Sequence, residues 1–215
     1  MIKKIKASLS EKILFIFLIL LIIVSFSSFF ILKNKCIFVD QVNIENLKFK
    51  KPENIIIMEI ECGSVVIELY PETSPNAVRR FKMFIENGSY NGSTFYRVAE
   101  NTFVQAGDIE FGNIKNLNYS KIGTGKSGYS TIDPELEMPF DFLKGSVAFA
   151  GSSEKKSVDS EFFITLSDIP IYEGEYTPLG KVIHGLEALK KIKTGNKSLY
   201  VLKPDFIYNL KLLIN

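Results

Sequence analysis

Hydrophobic residues follow three patterns along this chain, and each predicts a different kind of element. From Ile13 to Leu32 twenty residues run without a charge, bounded by Lys12 and Lys33. As a helix, that length crosses a bilayer core of about 30 Å. From Asn54 onward the apolar residues instead come in short runs. Ile55 to Glu61 and Ser64 to Leu69 are rich in β-branched residues with Cys62-Gly63 between them, which predicts a hairpin. Ala77, Phe81, Phe84 and Ile85 then recur at helical spacing behind Ser74 and Pro75, an N-cap and a first-turn proline, and Gly88 marks the stop. Short strands are predicted at Thr94 to Val98, Phe103 to Gln105, Ser146 to Ala150, Phe162 to Leu166, Gly180 to Ile183 and Phe206 to Leu212, with a second helix over Leu186 to Ile192. The expected fold class is mainly β: a closed antiparallel β-barrel capped by two helices and preceded by one transmembrane helix.

The predicted domains are a basic cytoplasmic tail over 1–12, a transmembrane signal anchor over 13–32, a linker over 33–53 and a folded domain over 54–215. A cleaved signal peptide is the competing reading of the apolar run. The run exceeds the usual apolar core of such a signal, roughly 7 to 15 residues, and no small-x-small cleavage site follows Leu32. Lys3, Lys4, Lys6 and Lys12 precede the span and Lys33 and Lys35 follow it, which favours a cytoplasmic N-terminus with the bulk of the chain outside, on a bacterial periplasmic face.

Composition narrows the chemistry. The 26 Lys and Arg against 24 Asp and Glu leave a net charge of +2, with no global field to draw nucleic acid. Cys36 and Cys62 provide neither a CxxC spacing nor a disulfide framework; they are free thiols or a single bridge in an oxidising compartment. No metal or cofactor is expected. His184 is read as a surface or helix-entry residue, because no partner cluster surrounds it. Gly123-Thr124-Gly125-Lys126-Ser127 imitates the end of a P-loop, but Ser120 stands where the first glycine belongs, so no nucleotide is expected. Asp133 to Glu137 is read as a solvated acidic loop.

Tyr90-Asn91-Gly92-Ser93-Thr94-Phe95-Tyr96-Arg97-Val98, then Gln105-Ala106-Gly107-Asp108, Ser160 to Ile164 and Gly174 to Val182 occur in that order. Together they resemble the cyclophilins, the peptidyl-prolyl cis/trans isomerases, over roughly residues 54 to 215. The resemblance implies an enzyme that accelerates rotation about X-Pro bonds and assists the folding of extracytoplasmic proteins. Its partners would be proline-containing polypeptide segments, and its N-terminal helix would hold it at the membrane.

The implied chemistry explains the residue types. The X-Pro amide rotates over a barrier of about 20 kcal/mol because its C–N bond has double-bond character. A donor aimed at the prolyl nitrogen stabilises the lone pair that appears on twisting, and a permanently charged guanidinium suits that task. Arg97 is the expected donor, and the resemblance gives Gln105 the role of orienting it or of binding the substrate backbone. Thr102, Phe103, Ala150, Gly151, Glu161, Phe163, Ile171, Tyr172 and Tyr176 match the family's substrate-binding positions. Four of them depart from its pattern: Thr102 replaces an aromatic, Phe103 a methionine, Gly151 an asparagine and Glu161 a glutamine. Thr102, Gly151 and Glu161 motivate a second reading, a catalytically weak proline-peptide binding or chaperone module at the membrane.

Overall fold

The computed structural model describes residues 8–33, 35–151, 158–195 and 199–214. The chain divides into two units, Met1–Phe38 and Val39–Asn215. The first carries helix α1, Leu9–Lys33. It opens on a reciprocal cap: Glu11 N donates to Ser8 Oγ at 3.3 Å, and Ser8 N donates to Glu11 Oε2 at 2.6 Å. The apolar stretch Leu9–Ile31 is long enough to span a membrane, and its side chains are exposed within the unit. A signal sequence passes the same test of length and composition.

The second unit is built on one curled, eight-stranded antiparallel sheet. Its strands are β1 (Ile55–Ile60), β2 (Gly63–Leu69), β3 (Arg97–Ala99), β4 (Phe103–Ala106), β5 (Ser146–Phe149), β6 (Phe162–Thr165), β7 (Pro178–His184) and β8 (Asn209–Leu212). They are ordered β3-β4-β6-β5-β7-β2-β1-β8. An isolated bridge between Thr94 and Phe206 joins the segments leading into β3 and β8, the two ends of that order. Helices α2 (Pro75–Glu86) and α3 (Leu186–Leu189) cover the sheet, α2 against β7 and β8, and α3 against β2. From α2, Phe81 meets Phe162 at 5.1 Å and Phe149 at 5.8 Å between ring centroids, edge to face, so the aromatic core ties helix to sheet.

Several local expectations shift. The hairpin loop is Glu61-Cys62, because Gly63, at φ 130°, already pairs with Ile60 as the first residue of β2. Ser74 precedes α2 but does not cap it with its side chain; its hydroxyl donates to the Pro178 carbonyl instead. Glu135 takes over that role, since its carboxylate accepts from Asn76 N at 3.1 Å and Ala77 N at 2.8 Å. One residue of the acidic loop therefore satisfies the orphan amides of a helix far away in sequence. At the other end Gly88, at φ 67°, completes a Schellman turn: Gly88 N donates to Ile85 O and Ser89 N to Phe84 O, both at 2.9 Å. His184 ends β7 and is exposed. Within the 33–53 segment, Val39 is buried and Gln41 Nε2 donates to the Cys62 carbonyl at 3.2 Å.

Candidate active site

Antiparallel pairing puts directly opposed side chains on one face of a sheet. The registers pair Ala148 with Phe163, Phe163 with Gln105, and Gln105 with Arg97. A single row across four strands therefore sets a small residue, an aromatic ring, an amide and a guanidinium side by side. Three of them, Arg97, Gln105 and Phe163, form the floor of a cavity of about 200 Å³ whose walls include Phe103, Ala150, Glu161, Tyr172 and Tyr176, while Ala148 is buried beneath.

The polar end is a connected network. Arg97 Nη1 donates to Gln105 Oε1 at 2.8 Å, and Gln105 Nε2 donates to Glu161 Oε2 at 3.0 Å and to Tyr96 Oη at 2.6 Å. The Tyr96 hydroxyl in turn donates to Glu161 Oε2 at 2.7 Å. Arginine has only donors and an ionised carboxylate only acceptors, so the amide of Gln105 has one orientation that satisfies both. Burial, followed by the Glu161 charge and hydrogen bond, pushes the Tyr96 phenol far above its ordinary range, so it remains a donor. The Arg97 guanidinium also sits 4.9 Å from the centroid of Phe103, a cation–π contact.

The apolar end is a nest of rings. Phe163 lies edge to face with Tyr176 at 5.0 Å, with Tyr172 at 5.5 Å and with Phe103 at 6.1 Å. Phe103, Phe142, Ala148 and Phe163 form a buried cluster beneath. Burial is the main reason that the Tyr172 phenol is also raised.

Most of the residues expected from sequence converge here, but not all. Thr102 lies in the β3–β4 turn, where its hydroxyl donates to the Glu100 carbonyl at 3.1 Å, and it does not line the cavity. Its neighbour Phe103 does, because it opens β4 and lies two residues before Gln105, on the same face of the strand. Ile171 is 79% exposed and points away, since in the 3₁₀ turn Pro170–Tyr172 successive side chains diverge by about 120°. Gly151 lines an adjoining groove of about 250 Å³ together with Gly123, Thr124 and Gly125. The amides of Gly123 and Gly125 donate to the buried carboxylate of Asp108 at 2.7 and 3.3 Å, which is where the glycines of the P-loop-like run direct their N–H groups. Sequence reasoning missed Tyr96, Gly123 and Tyr200 in the cavity wall. Tyr96 had a signal, its place inside the motif immediately before Arg97; Tyr200 had none, because a long-range bridge brings it in.

Comparison with known proteins points the same way. A family model described as cyclophilin type peptidyl-prolyl cis-trans isomerase/CLD matches residues 55–212. A probable peptidyl-prolyl cis-trans isomerase of Brucella suis is 38% identical over 148 residues, covering 68% of this chain and 75% of that protein. A peptidyl-prolyl cis-trans isomerase of Acinetobacter baylyi is 29% identical over 151 residues, with 68% and 75% covered. Among solved structures, a Cryptosporidium parvum cyclophilin type peptidyl-prolyl cis-trans isomerase, crystallised in the presence of the dipeptide Ala-Pro, superposes with a TM-score of 0.63 at 26% identity, over 75% of this chain and 99% of that one. A cyclophilin from Hirschia baltica shares the fold, with a TM-score of 0.62 at 20% identity and 75% and 74% covered.

Proposed function

The chain belongs to the cyclophilin-type peptidyl-prolyl cis-trans isomerases, and from that premise we propose that Arg97 is the group that lowers the rotational barrier of a bound X-Pro amide. One observation carries the reading: the guanidinium is held at the edge of an aromatic cavity by Gln105, with Phe163 forming the floor beside it. In this scheme the prolyl ring lodges against Phe103 and Phe163, and Arg97 donates to the nitrogen as its lone pair pyramidalises. No bond to the protein forms. The fixed donor stabilises charge that develops only in the twisted state, which is what raises kcat rather than affinity alone. Gln105 orients the donor and Glu161 orients Gln105. Ala150 and the groove at Gly151 accept the extended main chain of the substrate, and Tyr172 and Tyr176 close over the ring. Thr102 and Ile171 act from outside the cavity on this reading. The Ala-Pro dipeptide used with the Cryptosporidium relative supports proline-containing peptides as the ligand class.

Beside that premise we propose the domain plan read from the apolar run: a basic tail over 1–12, an anchor over 13–32, a linker over 33–53 and an isomerase domain over 54–215, outside the cytoplasm, that assists folding. The apolar helix α1 and the lysines before it support the orientation. Retention in the membrane after alkaline washing, with the domain open to protease from outside, is the expected outcome. A domain digested only after the cytoplasm is opened overturns the orientation.

The enzymatic role is tested with detergent-solubilised full chain in a protease-coupled proline isomerisation assay. Wild type accelerates the slow phase and Arg97→Ala does not. Equal rates for the two leave the peptide-binding module as the reading.

A further inference from the structure

The cross-strand row that makes the floor of the cavity does not end at Arg97. An isolated antiparallel bridge pairs Arg97 with Tyr200, from a segment far along the chain. Val98 N donates to Leu199 O at 2.7 Å, and Val201 N donates to Tyr96 O at 2.9 Å. Those two bonds flank the Arg97 and Tyr200 positions instead of joining them, so the residues form a non-hydrogen-bonded pair, the kind in which opposed side chains approach most closely, with Cα atoms about 4.5 Å apart. Tyr200 is therefore built onto the same face as Arg97, on the side away from Gln105.

Its ring is held in place without being covered. It packs on Tyr96 with centroids 6.0 Å apart and planes inclined by 32°, and Tyr96 is itself fixed through its hydroxyl to Glu161 and Gln105. A Cβ on Gly123 would come within 3.3 Å of both the Tyr200 hydroxyl and the Tyr96 ring, so a glycine lets the loop close against the pair. Tyr200 is still 51% exposed and lines the cavity. The cavity thus has two aromatic sides with the guanidinium between them: Phe163 with its neighbours on one, the two tyrosines on the other. The first is already assigned to the prolyl ring.

Resting on the isomerase reading above, we infer that Tyr200 is a specificity-determining residue, whose half-exposed ring packs against an aromatic side chain next to the proline of the substrate. An aromatic pair adds roughly 0.5–1.5 kcal/mol beyond area burial, so peptides with Phe beside proline gain about two- to twelvefold in kcat/KM over their glycine counterparts. The test uses the full chain in detergent and two peptide series, one varying the residue before proline and one the residue after it, each as Phe or Gly. In wild type one series shows the Phe preference. Tyr200→Ala brings that ratio close to one, and Tyr200→Phe keeps it. Should Tyr200→Ala fail to fold, Tyr200→Leu, which keeps bulk without a π face, makes the same comparison. A Phe/Gly ratio that is equal in wild type and the Ala or Leu variant, in both series, overturns the inference while leaving the isomerase reading intact. Wild type without activity on any peptide overturns both.

Discussion

Arg97 and Gln105 face one another across the β3–β4 ladder, and the amide oxygen of the second holds the guanidinium of the first at 2.8 Å. Because Gln105 is buried and its amide nitrogen is engaged by Glu161 and Tyr96, the arginine is presented by a rigid support rather than by its own flexible stem. On the proposed mechanism such preorganisation is the source of the rate, since the donor need not reorganise as the amide twists.

Arg97→Ala is expected to lower kcat/KM about a hundredfold or more, the scale seen when one preorganised donor is removed. Arg97→Lys recovers little, because an ammonium cannot hold Gln105 and present a second N–H in the same plane. Steady-state assays of both variants at matched folding, judged by circular dichroism, check this.

Glu161→Ala strands the donors of Gln105 and Tyr96, at a cost of about 1–3 kcal/mol in stability, and lets the Gln105 amide turn. A three- to tenfold fall in kcat with little change in KM is the expected signature of a positioning role. Glu161→Gln, which keeps an acceptor, stays near wild type. A KM effect alone would assign Glu161 to substrate contact instead.

Alkali should weaken the fold through buried phenols. Burial is the largest cause that raises the Tyr90 and Tyr96 pKa values in the folded state, so the unfolded chain loses those protons first. Stability is then level below about pH 10 and declines as pH rises beyond it. Urea midpoints at neutral pH and near pH 11 measure the decline, and Tyr96→Phe should make it shallower. A midpoint that does not move contradicts the burial argument.

Glu135→Ala removes the carboxylate that accepts from Asn76 N and Ala77 N. A loss of about 1 kcal/mol, read as a lower melting temperature with unchanged isomerase rate, is expected for an N-terminal cap. No change in melting temperature would mean that water serves those amides equally well.

Local order was written plainly in the residues. The uncharged run from Ile13 to Leu32, the β-branched runs on either side of Cys62, and the Ala77, Phe81, Phe84, Ile85 spacing that stops at Gly88 each follow from the geometry of one element, and the motif around Arg97 and Gln105 pointed to the site. Tertiary structure decided what depends on partners distant in sequence. The capping of α2 passed from Ser74 to Glu135, Thr102 and Ile171 turned away from the cavity, and Tyr200 was delivered to the side of Arg97 by a bridge with no local signature. The physical reason is that periodicity reports which face of an element is apolar. Which polar group meets which buried donor, and which ring closes a wall, is set only when the sheet curls and brings separate segments into register.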